Sequence, residues 1–162
     1  MQELKNLLSA KQNVVITTHV NPDGDAIGSS VALLNFLIKM GHDVSVIVPN
    51  DYPEFLKWMK NDDLIINFSN AKAESQDKIK NASLIFCLDF NNLTRINELG
   101  DYISEANAKK VLIDHHLDPS DFYDFKIHDV KASATAELVY DFLVDLDSSA
   151  IDRDISEAIY TG

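Results

Sequence analysis

The sequence predicts an α/β fold, a parallel twisted sheet with helices on both faces. Short apolar runs such as Val14-Val15-Ile16 and Leu84 to Leu88 alternate with longer stretches whose apolar residues recur every three to four positions. Such alternation needs crossover connections, which make neighbouring strands parallel and cover both faces of the sheet. Acidic residues and histidines also gather where three of the apolar runs end. At 162 residues the chain is one domain with room for a sizeable core. It carries no internal repeat, low-complexity tract or interdomain linker.

The elements follow in order. Residues 2–9 pattern as a short amphipathic helix with Leu4, Leu7 and Leu8 on one side. Strand one covers 13–18. A long helix runs from Asp25 to Met40, burying Ile27, Val31, Leu34, Leu37 and Ile38, and Gly41 ends it as the residue after the cap. Strand two is Asp43 to Val48, closed by Pro49-Asn50. Pro53 to Lys60 reads as a short helix with proline in its first turn, Leu64 to Ile66 as a brief strand, and Ala71 to Asn81 as a polar helix or loop. Strand four, Ser83 to Leu88, runs into Asp89. Thr94 to Ala106 reads as a helix with Ile96, Leu99 and Ile103 along one side. Strand five, Lys110 to Ile113, runs into Asp114-His115-His116, and helices at Ala132 to Leu146 and Ile151 to Tyr160 complete the chain.

Composition removes several functions. Twenty-six acidic against fourteen basic residues give a net charge of −12, the wrong sign for neutralising the phosphates of duplex nucleic acid. Small phosphorylated substrates remain open, because bound divalent cations reverse the local field. No stretch is long and apolar enough to span a membrane, and no basic-then-apolar leader opens the chain. The single Cys87 lies inside an apolar run and has no internal disulfide partner, which fits a cytoplasmic protein.

The chemistry concentrates at three strand ends: His19, Asp23 and Asp25 after strand one, Asp89 after strand four, and Asp114, His115 and His116 after strand five. Each alone has a bland reading, as a strand-end turn, a helix cap, or a pair of solvated histidines. In a parallel sheet, however, all three ends share one edge, and clustered carboxylates repel unless cations sit among them. Mixed imidazole and carboxylate ligands suit Mn²⁺, Co²⁺ or Fe²⁺ better than Ca²⁺. Gly28 and Ser29 open the long helix with small side chains, as a phosphate seat would require. His42 and His128 lack acidic company and read as surface or packing residues. A dinucleotide site would need a glycine triplet where this chain has Asp23-Gly24-Asp25, and no serine nucleophile elbow is present.

The pattern His19-x-x-Pro22-Asp23-Gly24-Asp25-Ala26-x-Gly28-Ser29, then Asp89, then Asp114-His115-His116, resembles the first three motifs of the DHH phosphoesterase superfamily. Its wording is nearest to the branch of nanoRNA phosphodiesterases and pAp phosphatases, and less like the family II inorganic pyrophosphatases. The resemblance implies two divalent ions, Mn²⁺ first, with Co²⁺, Mg²⁺ or Fe²⁺ as alternatives. It implies that His19 and Asp23 hold one ion, that Asp25 and His115 hold the other, and that Asp89 bridges them. Asp114 would orient the site from outside, His116 would face the substrate phosphate, and Arg95 would contact phosphate. Ser133-Ala134-Thr135-Ala136-Glu137 is similar to the family's helix start after the third motif.

The implied function is hydrolysis of short oligonucleotides or 3′-phosphorylated nucleotides by water activated between two metals. The implied substrate is a small phosphorylated nucleotide or short single strand, with no role for duplexes or membranes. Family members continue past a segment like Ala158 to Gly162 into a fourth motif carrying another metal-binding Asp, then a substrate-binding domain. Residues 1–162 therefore correspond to the catalytic domain, ending before that motif. A metal-binding half-domain without turnover is the competing reading, and a pyrophosphatase the third. Loss of a covering domain would also favour association into a homo-oligomer.

Overall fold

The computed structural model describes residues 1–162. Its six strands are β1 (Asn13–Thr17), β2 (Asp43–Val48), β3 (Ile65–Asn67), β4 (Leu84–Leu88), β5 (Lys109–Asp114) and β6 (Phe125–His128). They form one sheet in the order β3-β2-β1-β4-β5-β6, and every pairing is parallel. The α/β class with a parallel sheet is thus the observed one. The chain winds outward from β1 in one direction and, after crossing back, from β4 in the other. Sheets of this kind place their sites at that reversal, in the crevice beyond the carboxyl ends of the strands.

Six α-helices accompany the sheet: α1 (Gln2–Leu8), α2 (Gly24–Lys39), α3 (Lys72–Asn81), α4 (Leu99–Glu105), α5 (Thr135–Asp147) and α6 (Arg153–Thr161). Side chains alternate across each strand, so the sheet feeds two cores. Val14, Ile16, Val46, Phe86 and Ile113 pack under α1, α2, α5 and α6. Val15, Ile47, Ile85, Cys87 and Leu112 pack under α3 and α4. The central strands are buried along nearly their whole length, as sheets covered on both sides require. No helix is long and apolar enough to cross a membrane.

Four local expectations need correction. The segment from Thr94 to Ala106 is not one helix: a short 3₁₀ turn covers Leu93–Ile96, then Asn97 takes a left-handed φ of 49° before α4 begins. Ile96, Leu99 and Ile103 still face the core, which is why their spacing resembled continuous helix. Pro53 to Lys60 holds only the turn Glu54–Leu56. Its backbone is pinned to α2, where Asn35 Nδ2 donates to the Lys60 carbonyl at 3.0 Å. The helix expected from Ala132 begins at Thr135. Strand β6 has no counterpart among the expected elements; it is a four-residue edge strand, and Asp114 pairs with His128 in its register.

Candidate metal centre

Three adjacent strands, β1, β4 and β5, aim their carboxyl ends at one place, with Thr17 beside Cys87 and Leu88 beside Ile113 in register. His19, Asp89 and Asp114 leave those ends buried. Asp89 is 2% exposed and occupies a left-handed conformation with φ 63°. Aspartate tolerates that region better than most residues, and here it turns the carboxylate into the space between β1 and β5.

Imidazoles face this carboxylate from both sides. His19 Nε2 lies 3.3 Å from Asp89 Oδ2 and 3.9 Å from Asp23 Oδ1. His115 Nε2 lies 3.7 Å from Asp89 Oδ1 and 3.8 Å from Asp25 Oδ2. Each ring is held from behind: His19 Nδ1 meets the Val20 carbonyl at 2.9 Å and His115 Nδ1 meets the Ala132 carbonyl at 3.1 Å. A carbonyl only accepts, so both Nδ1 atoms carry hydrogen and both Nε2 atoms turn toward carboxylates. That is how protein backbones fix imidazoles for metal ligation. His116 is arranged differently. Its Nδ1 donates to Asp114 Oδ1 at 2.7 Å, which leaves Nε2 as the unengaged nitrogen of a ring about one-third exposed.

The carboxylates carry their own supports. Asp23 Oδ1 accepts from Ala26 N at 3.1 Å and caps α2. Asp25 reaches α5, where its two oxygens accept from Thr135 N and Ala136 N, both at 2.8 Å. Helix α5 has no capping side chain at its own Ala134; two of its unpaired amides are met by an acid a hundred residues upstream. Thr135 Oγ1 also donates to Asp89 Oδ1 at 2.9 Å. Burial, followed by the negative charge of Asp89, raises the Asp25 carboxyl above its usual range, although Thr135, Ala136 and Ser29 pull the other way. Burial alone would lower His19; hydrogen bonding to Asp89 and the Val20 carbonyl, with the charges of Asp89 and Asp23, outweighs it and raises the imidazole.

The donor set fits a cation. Two geometric groups can each enclose an ion, His19-Asp23-Asp89 and Asp89-His115-His116, and Asp89 belongs to both. Asp114 Oδ2 is buried with no partner at all, an unmet acceptor beside the cluster. The second group contains His116 where the resemblance placed Asp25, yet Asp25 Oδ2 remains within 3.8 Å of His115 Nε2.

Three further predicted residues lie around this cluster. Gly28 and Ser29 do not form an open phosphate seat. A Cβ at Gly28 would lie 2.6 Å from the Ala158 carbonyl oxygen and 2.6 Å from Gly162 N, so close packing of α6 on α2 explains the glycine. Ser29 is fully buried and donates to Asp25 Oδ1 at 3.2 Å. Arg95 is exposed; its carbonyl accepts from Val20 N at 2.9 Å, tying its turn to the His19 loop. Two contributors lie outside the site that the sequence reading assigns, in which Thr135 belongs only to a helix start and His128 is a surface or packing residue. Thr135 touches two of the acids, and His128 Nε2 donates to the His116 carbonyl at 2.6 Å, fixing the histidine pair to β6. The Ser-Ala-Thr-Ala stretch at the helix start was the one sequence signal for Thr135; none marked His128.

The model of the DHH family, N-terminal domain, matches residues 13–162. The chain is a member of the DHH family. Relatives of this DHH chain include the probable bifunctional oligoribonuclease and PAP phosphatase NrnA of Streptococcus mutans. That protein is 27% identical over 139 residues, covering 83% of this chain and 39% of the relative. The bifunctional oligoribonuclease and PAP phosphatase NrnA of Thermus thermophilus is 28% identical over 149 residues, covering 92% of this chain and 41% of the relative. The DHH chain thus spans about two fifths of the length of these relatives. Among solved structures, an exopolyphosphatase-related protein from Bacteroides fragilis superposes with a TM-score of 0.95 at 40% identity, over 99% of this chain and 48% of that one. The exonuclease RecJ bound to manganese shares the fold, with a TM-score of 0.57 at 15% identity over 98% of this chain and 40% of that one.

Proposed function

We propose that this chain is the catalytic domain of a metal-dependent phosphoesterase. Its substrates are short oligoribonucleotides or small 3′-phosphorylated nucleotides of the pAp type, cleaved at a pair of divalent cations, Mn²⁺ first among them. One observation carries the reading: Asp89 lies between two imidazoles whose Nε2 atoms are turned toward acids by backbone carbonyls. His19 and Asp23 would hold one ion, Asp25 and His115 the other, and Asp89 both. His116 stays outside this set because Asp114 occupies its Nδ1. The names of the relatives that cover most of this chain support the substrate class.

When bound, the cations would supply Lewis acidity and lower the pKa of a water poised for attack on phosphorus. The protein's part is positional. Val20 and Ala132 hold two imidazoles in the ligating tautomer, and Thr135 fixes one oxygen of Asp89. His116 offers Nε2 to the departing oxygen from a ring that Asp114 and His128 keep in place. No covalent enzyme intermediate is required.

The test is to give the chain Mn²⁺ and compare pAp, a diribonucleotide and pyrophosphate. Release of phosphate from pAp or of mononucleotide from the dinucleotide supports the proposal. Cleavage of pyrophosphate alone would replace it with the pyrophosphatase reading. Tight Mn²⁺ binding with no turnover of any of the three favours a metal-holding half-domain, for which a longer chain must supply the rest.

A further inference from the structure

A cavity opens on the carboxyl edge of the sheet, beside the segments that follow His19 and Asp89. It has a volume of about 400 Å³, within the range of small-molecule pockets. Its apolar lining is Val20, Pro49 and the edge of Phe68, backed by the buried Ile96 and Leu99. Val20 follows His19 directly, and Ile96 lies at the end of the turn that begins beyond Asp89, so both ligand loops become walls of the cavity. Its position is fixed by local bonds. Val20 N donates to the Arg95 carbonyl at 2.9 Å, and Asn21 and Asn50 exchange two hydrogen bonds of 2.8 and 2.9 Å.

The rim decides what fits. Asn50, Ser69, Lys72, Asn97 and Glu98 supply its polar groups. Lys72 is the only cation there, and it is ion-paired with Glu98 across the mouth. A free phosphate would find that charge already neutralised, with a second carboxylate oxygen beside it. A flat, uncharged group with hydrogen-bonding edges meets no such objection. Apolar walls would cover its faces, while the Asn97 amide and Glu98 carboxylate would face its edge donors and acceptors.

We propose that this cavity receives a nucleobase of the substrate, so that the base sits between the ends of β2 and β3 while its phosphate lies over the metal centre. The proposal rests on the phosphoesterase reading and adds to it a base-binding role for the Val20–Asn50–Lys72–Glu98 cavity. Arg95 is exposed on the same turn.

The experiment follows the backbone amides of the ¹⁵N-labelled chain, with Mg²⁺ present, during titration with adenosine 5′-monophosphate and separately with ribose 5-phosphate. The nucleotide is expected to move the amides of Val20, Asn50, Ser69, Lys72 and Glu98; the sugar phosphate, lacking a base, is expected to leave Asn50, Ser69 and Lys72 in place. Ser69 is exposed at the rim, where its hydroxyl donates to the Pro49 carbonyl at 2.8 Å; Ser69→Ala controls for loss of that bond, and Ser69→Phe also fills the opening. Ser69→Phe should weaken the nucleotide about tenfold while Mn²⁺ affinity stays unchanged. Equal shifts from both ligands, confined to the metal loops, would overturn the cavity assignment and leave the metal reading intact. Base-dependent shifts in a chain that fails to bind Mn²⁺ would uphold the cavity and overturn the metal reading instead.

Discussion

Asp89 combines a left-handed backbone, near-complete burial and contact with residues from three other segments. Non-glycine residues held in that conformation store strain of about 1–3 kcal/mol and cluster at functional sites. Asparagine tolerates the same backbone but supplies no negative charge. Asp89→Asn should therefore keep the circular-dichroism spectrum and the folded state while abolishing binding of two Mn²⁺ ions; two ions still visible by anomalous scattering would contradict its bridging role. Thr135→Val removes only the hydroxyl that donates to Asp89. Loss of such an outer partner weakens metal binding by about 10–100-fold, measurable by Mn²⁺ titration followed by electron paramagnetic resonance. At this scale the sequence marked the acids and histidines that the fold brings together, because acids at strand ends are conspicuous. It read His128 as a surface or packing residue, because the bond to the His116 carbonyl depends on β6 lying beside Asp114, and it was misleading on Gly28, whose neighbours in α6 are about 130 positions away.

Among the elements, long and strongly periodic ones were legible and short or interrupted ones were not. Helix α2 and strands β1, β2 and β4 lie within a residue of their sequence-read bounds, since their apolar patterns leave no alternative. The α4 region failed because a turn, a left-handed Asn97 and a short helix can put Ile96, Leu99 and Ile103 on the same core face that a continuous helix would. Strand β6 failed because four half-exposed residues at a sheet edge carry little patterning. The contact between α2 and α6 yields a further prediction. A methyl group at Gly28 would strike two backbone atoms of the α6 region, which cannot rotate away. Overpacking costs about 1–3 kcal/mol and outweighs alanine's better helix propensity. Gly28→Ala should lower the urea midpoint, and an unchanged midpoint would show that α6 yields easily.

For the whole molecule, the centre links stability to pH and to metal. His19 and Asp25 both have raised proton affinities in the folded chain. For His19 the resulting stability is complete below its ordinary value of 6.5 and is lost as pH climbs through the higher folded value. The Asp25 share begins to fall above 3.8. The metal-free chain should accordingly be more stable at about pH 6 than at about pH 8. Mn²⁺ competes with those protons, so its stabilising effect should grow as the pH rises from about 6 to about 8, opposite to the trend of the metal-free chain, as thermal melts at the two values with and without the ion would reveal. Cys87 offers a second readout. It is buried on β4 two residues before Asp89, and burial pushes its thiol up to about 12. Aromatic disulfide reagents should leave it untouched in the native chain and label it at the rate of unfolding, more slowly with Mn²⁺ bound.

Two of the acids at the centre, at positions 25 and 89, receive hydrogen bonds from positions 135 and 136. A nascent chain emerges from its amino end, so β1, α2 and β4 leave the ribosome before those donors do. The carboxylates must then remain hydrated until α5 arrives, and a translational pause before residue 135 would hold the nascent sheet with its candidate metal site unfinished.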